Sequence, residues 1–158
     1  MQTEWSNDIK QFISLCSDKD VKMLMVGGGA VNFHGYQRHS ADIDFWIDST
    51  MENFDKLKSV FIEMGFNFSD FPEEVKEQKQ NISIKFSPIN LNIELITKFS
   101  INKTFDEAFK DSIEAQVEGL KFLKWRVLSF EDLITSKIKS GRPKDLADIQ
   151  ELVRIKNF

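Results

Sequence analysis

Asp42 and Asp44 stand two residues apart in the stretch ADIDFWID, and Glu94 interrupts the apolar run LNIELI further along the chain. Strand alternation puts Asp42, Asp44, Trp46 and Asp48 on one face and Ile43, Phe45 and Ile47 on the other. Side chains two apart on a strand leave the same face about 7 Å apart at Cα, so their oxygens can converge on one point. Held that close, two carboxylates repel and lose hydration. A cation between them removes the conflict. A hard divalent ion with oxygen ligands suits the pair best, Mg²⁺ above all or Mn²⁺. Two such ions on shared carboxylates form the clamp for in-line phosphoryl chemistry. Glu94 is the candidate third acid. On its own strand it shares a face with Asn92 and Ile96, opposite Leu91, Ile93 and Leu95. The bland alternative is that these acids are exposed charges on half-solvated strands, and for Glu94 alone it stays open.

Just upstream, VGGGAVNFHG ends an apolar run in Gly27, Gly28 and Gly29. Glycines between a strand and a helix let backbone N–H groups approach an anion. The stretch is not a P-loop, because no Gly-Lys-Ser/Thr follows. Nor is it a dinucleotide fingerprint: counting from Gly27, the last glycine would fall where Asn32 stands. Arg38, in the loop before the Asp strand, can reach a phosphate with two hydrogen bonds or can be an ordinary loop arginine. His34 follows an apolar helix face and reads as a packed histidine, whereas His39 in the loop is unassigned. Trp46 shares the acid face and is placed to edge a pocket there.

These residues need a scaffold. The chain has 158 residues, 41% hydrophobic and 29% charged, which fits one soluble domain spanning 1–158 with a real core. The net charge is −4, so no global basic surface exists for non-specific nucleic-acid binding. Any anion must be met by a local cluster of positive groups or by a metal. Cys16 is the only cysteine, which excludes an internal disulfide and a cysteine-based metal cluster. No apolar run approaches the roughly 20 residues of a membrane span, and the first residues lack the apolar core of a signal peptide. The expected location is cytoplasmic, with no membrane partner.

The elements follow from periodicity. Trp5, Ile9, Phe12, Ile13 and Cys16 mark an opening helix, and KMLMV marks a buried strand. AVNFHG is a short helix stopped at Gly35. Ser49-Thr50 caps a helix carrying Phe54, Leu57, Phe61 and Met64 and ending at Gly65. PEEVKEQKQ is a helical turn or a loop. NISIKFS and LNIELIT are strands joined by Pro88-Ile89-Asn90, a hairpin. TFDEAFKD is a short helix, and EAQVEGLKFLKWRVLS is two strands around Gly119. SFEDLITSKIKS starts at a Ser129 cap with Asp132 three residues on, and GRPKDLADIQELVRIK restarts a helix with Pro143 at its first position. The class is α/β (α+β): a mixed β-sheet flanked by helices.

The glycines, the spacer from Ala30 to Ala41, Asp42-Ile43-Asp44 and a distant acid on a strand together resemble the nucleotidyltransferase fold of the DNA polymerase β superfamily. More closely, VGGGAVNFHGYQRHSADIDFWI and EDLITSKIKSGRPKDLADIQEL resemble the two signature stretches of small bacterial nucleotidyltransferases, including the abortive-infection, type IV toxin–antitoxin group. The resemblance covers the first third and the last quarter of the chain. It implies that Asp42 and Asp44 bind Mg²⁺ and through it a nucleoside triphosphate such as ATP. Glu94 would ligate a second ion or draw a proton from the attacking hydroxyl. Gly27, Gly28 and Gly29 would cradle the β- and γ-phosphates. Many members carry Ser where Gly28 stands, so here only backbone is offered.

Lys137 lies beside Leu133, Ile134 and Ile138, on or next to the buried stripe of its helix. The resemblance points it at the nucleotide phosphates; the plain alternative is a lysine snorkelling at the helix edge. Arg142 and Lys144 are placed at the rim of the site. Asp145 serves the first turn of its helix or partners Lys137 or Arg142, and Asp148 is read as structural. The implied activity moves a nucleoside monophosphate from a nucleoside triphosphate to an unknown hydroxyl-bearing acceptor, a small molecule, an RNA end or a protein, with release of pyrophosphate. The rival is a non-catalytic or partner-dependent module of the same fold, such as one component of a toxin–antitoxin pair acting by protein contact; acceptor recognition itself can call on a protein partner or a homodimer.

Overall fold

The computed structural model describes residues 5–38, 42–86 and 92–157. Seven helices and six strands follow one another there: α1 (Asn7–Asp18), β1 (Met23–Val26), α2 (Gly27–Phe33), β2 (Asp42–Ile47), α3 (Met51–Glu63), α4 (Glu73–Lys76), β3 (Ile82–Ile84), β4 (Asn92–Ile96), α5 (Phe105–Lys110), β5 (Ile113–Val117), β6 (Leu120–Val127), α6 (Phe130–Ser140) and α7 (Pro143–Lys156). The turn expected at Pro88-Ile89-Asn90, His39 and the end of the spacer lie outside the described residues.

The strands form one mixed sheet in the order β3-β4-β2-β1-β6-β5. β1 runs antiparallel to β2 and parallel to β6; β2 runs parallel to β4; β3–β4 and β5–β6 are antiparallel pairs. The expected mixed sheet with flanking helices is therefore found. Strand β1 is buried along its whole length, as an unbroken apolar run demands. In β2, Ile43, Phe45 and Ile47 are buried while Asp42 and Asp44 remain partly open. Helix α1 turns Ile9, Phe12, Ile13 and Cys16 inward, packing on β6 and α3. Helix α2 packs on β1 and β2 and touches α6, which pairs with α7. No helix among the described residues is long and apolar enough to cross a membrane.

Local chemistry sets the helix starts. Ser6, Thr50 and Ser129 each accept a hydrogen bond from the backbone N–H three residues on, and Thr104 with Glu107 forms a full capping box. Such a cap is worth about 1 kcal/mol. In α7, Pro143 fills the first position, and the Asp145 carboxylate accepts from the Arg142 N–H at 3.2 Å. Two details depart from the periodicity. Trp5 precedes α1 and packs on Trp125. The three glycines form the first turn of α2, instead of a loop ahead of it.

Asn53, in the first turn of α3, is buried and spans the far end of the β1–β2 ladder. Its Oδ1 accepts from the Lys22 N–H at 2.8 Å, and its Nδ2 donates to the carbonyls of Lys22 at 3.0 Å and Asp48 at 2.8 Å. Residues just before β1 and just after β2 are thus held by one side chain.

Candidate active site

The strand order brings the sequence-predicted acids together. Val26 pairs with Asp44, Asp44 with Glu94, and Glu94 with Ser83, a continuous row across β1, β2, β4 and β3. One step along, Asp42 pairs with Asn92. Asp42 and Asp44 therefore face Asn92 and Glu94 across a parallel pair, on the face that alternation assigns them. All four are partly buried. The Ser83 hydroxyl donates to Glu94 Oε2. Ser83 was not singled out by sequence, although its place between Ile82 and Ile84 puts it on the opposite face from theirs.

Gly27 is where helix and acids meet. Its φ is +59°, and a Cβ there would stand 2.6 Å from Asp44 Oδ2. Both facts require glycine. At Gly29 a Cβ would lie 2.9 Å from Met25 Sδ, the mobile end of a side chain from β1. Gly28 is buried between them. The backbone of α2 at Gly27 thus lies close against the Asp44 carboxylate.

Burial pushes the Asp44 carboxyl up to about 6, and the charges of Asp42 and Glu94 push the same way; Lys137 and Lys144 pull against them. The acids therefore form one electrostatic unit, under strain from its own charge.

The basic residues are organised by two buried carboxylates. Asp148 accepts from Arg38 Nε at 2.8 Å and Nη2 at 2.9 Å, and pairs with Lys137 Nζ at 3.0 Å. Asp145 pairs with Lys137 at 3.2 Å and with Arg142 Nε at 2.8 Å. Burial acts to raise Asp145, but hydrogen bonds from Arg142, Ser140 and Lys137 outweigh it and hold the carboxyl well below its ordinary range. Lys137 is buried, with 5% of its surface open, so it does not snorkel to solvent. Its ammonium is shared between two aspartates while its charge still bears on Asp44. Arg38 shows the two-pronged geometry expected for a phosphate, with Asp148 as the partner. Arg142 and Lys144 are exposed.

Other residues of the motif stretch lie elsewhere. Trp46 does not edge an open pocket: it keeps its register on β2 but is buried, with its ring 5.2 Å from Phe99 and 5.0 Å from Phe105, which cover it. Asp48 lies past the other end of β2. Burial and Asp106 raise its carboxyl, opposed by Lys22 and the Ser49 N–H. His34 is the packed histidine expected: a ring nitrogen lies 2.8 Å from the Leu128 carbonyl, and Phe33 and Phe130 meet the ring edge-on. Burial lowers its pKa.

Among the described residues, no group of three or more His, Cys, Asp or Glu side chains is arranged to hold a metal ion by itself. Mg²⁺ is usually held by one or two carboxylates plus substrate phosphates and waters, not by an all-protein cage. Asp42 and Asp44, both oxygen donors and mutually repelling, fit an ion that shares its ligands with a phosphate chain.

A mixed sheet with a glycine-started helix set against paired acids is the architecture of a nucleotidyltransferase-like fold. The chain belongs to a family described as nucleotidyltransferase of unknown function (DUF6036), whose model matches residues 6–157. No curated protein matches the chain at a significant level.

Proposed function

We propose that the protein is a Mg²⁺-dependent nucleotidyltransferase that moves a nucleoside monophosphate from a nucleoside triphosphate to a hydroxyl-bearing acceptor and releases pyrophosphate. The observation that carries this reading is the meeting of Gly27, Asp44 and Glu94: a positive-φ glycine whose Cβ would meet the Asp44 carboxylate, and an acid pushed up first by burial and then by its acidic neighbours. Such a set is costly for folding and makes sense where a cation and phosphates complete it. The bound ion would supply charge neutralisation on the triphosphate. Asp42 and Asp44 hold it. Glu94 takes the proton of the attacking hydroxyl or completes the ligand set, oriented in either role by the Ser83 hydroxyl. The first-turn N–H groups of α2 approach the β- and γ-phosphates over Gly27, Gly28 and Gly29. Lys137, held by Asp145 and Asp148, and Lys144 add positive potential at Asp44. Catalysis is then positioning and charge neutralisation.

Calorimetric titration of nucleoside triphosphates with and without Mg²⁺ tests the reading, on the native chain and on the double variant Asp42→Asn/Asp44→Asn. Metal-dependent binding that the double variant loses supports it. No binding by the native chain at millimolar nucleotide rejects it.

A further inference from the structure

The acid face holds one polar atom that nothing satisfies. Asn92 Oδ1 is shut off from solvent and has no hydrogen-bond partner among the described residues. A buried carbonyl in that state has given up its water and received nothing in return. Most buried acceptors in folded proteins are paired, and an orphan calls for a missing partner. The position narrows the choice of partner. Asn92 stands in register with Asp42 across the parallel β2–β4 pair and lies two residues before Glu94, on the same face. Three of the four side chains in this two-by-two array are carboxylates. What such an array attracts is a cation, and an amide carbonyl is a hard, neutral oxygen ligand for one. A fourth carboxylate would add repulsion to a set already strained by Asp42, Asp44 and Glu94. A carboxamide adds an oxygen without adding charge.

We infer that Asn92 is a further ligand of this site, its side-chain carbonyl serving as a neutral oxygen donor to the divalent cation held by Asp42 and Asp44. The inference rests on the metal-dependent reading above and extends it to a residue outside the motif set.

The test is calorimetric binding of Mn²⁺ alone, and of Mn²⁺ with the α,β-methylene analogue of ATP. The proteins are the native chain, Asn92→Leu, Asn92→Asp and Asp42→Asn/Asp44→Asn. Melting curves are recorded with and without Mn²⁺. Leucine keeps the bulk and removes the oxygen; aspartate keeps the oxygen. Asn92→Leu is expected to weaken Mn²⁺ binding by at least about tenfold, while its metal-free form melts higher than the native chain because the orphan is gone. Asn92→Asp is expected to bind Mn²⁺ at least as well as the native chain, to melt lower without metal and to recover with it. Native-like Mn²⁺ affinity in Asn92→Leu, alongside loss in the double aspartate variant, overturns the inference and leaves the metal-dependent reading standing. Should Asn92→Leu not fold, loss of Mn²⁺ binding in a folded Asn92→Asp overturns it equally. Absence of Mn²⁺ binding in the native chain both with and without the nucleotide analogue overturns both.

Discussion

Arg38 and Asp148, 110 residues apart in the sequence, are joined by two parallel hydrogen bonds of 2.8 and 2.9 Å. The same carboxylate holds Lys137. A loop ahead of β2 and the last two helices are thereby fastened at one buried point. Lys137, whose charge bears on Asp44, is held in place by this aspartate together with Asp145.

The charge pattern predicts unequal costs for two neighbouring substitutions. Asp148→Asn removes the anion shared by two cations and is expected to cost roughly 3–5 kcal/mol. Lys137→Met leaves Asp148 with Arg38 and Asp145 with Arg142, so the loss should be smaller, about 1–3 kcal/mol. Urea denaturation of both variants measures the order, which is the content of the prediction.

Asp44→Asn should fold and gain stability at neutral pH. The Asp44 carboxyl ordinarily sits near 3.8 and is held at about 6 in the folded chain, so folding favours the protonated form. Its contribution is full below pH 3.8 and is lost as pH rises through about 6. Asparagine removes that loss, a gain at pH 7 of about 1–2 kcal/mol once partial exposure is discounted. Denaturation at pH 5 and pH 7.5 should show the full advantage of the variant at the higher pH and roughly half of it at pH 5, which lies midway between the two values.

The same proton competes with the cation. Metal-dependent nucleotide binding is expected to weaken as pH falls through about 6, because protonated Asp44 is a poor ligand. Titrations from pH 5 to 8 check this. A flat profile would detach Asp44 from the metal.

Gly27→Ala should be costly at a place where alanine is normally harmless. A positive φ alone costs a side-chain-bearing residue about 1–2 kcal/mol. The new methyl also stands 2.6 Å from Asp44 Oδ2, so the carboxylate must move. The variant is expected to lose stability and metal-dependent binding together, whereas Gly65→Ala, at a similar φ of +90° with open space around it, loses stability alone.

Much of the fold was legible because local rules decide it. Alternation assigned Asp42 and Asp44 to one face, and the caps at Ser129 and Pro143 start their helices as read. What could not be read was non-local. Nothing near Glu94 tells that β4 lies parallel to β2 with Asp44 opposite it. Nothing near Lys137 tells that Asp145 and Asp148 both claim its ammonium. Trp46 followed the alternation into the wrong environment, since the periodicity of a strand does not see Phe99 and Phe105 arriving to cover it. Ser83 and Asn92 carry no motif; only pairing reveals them.

Asn53 has a consequence for the site it never approaches. Strand pairing has a parity: a slip of one residue between β1 and β2 would turn Asp42 and Asp44 into the core and bring an apolar neighbour against Gly27. The Asn53 carboxamide reads the backbone on both sides of the ladder at its opposite end, and only one parity satisfies all three of its hydrogen bonds. The placing of the acids is thus proofread from the far edge of the strands. Damage to that check would look like a lesion of the chemistry with every residue of the chemistry intact.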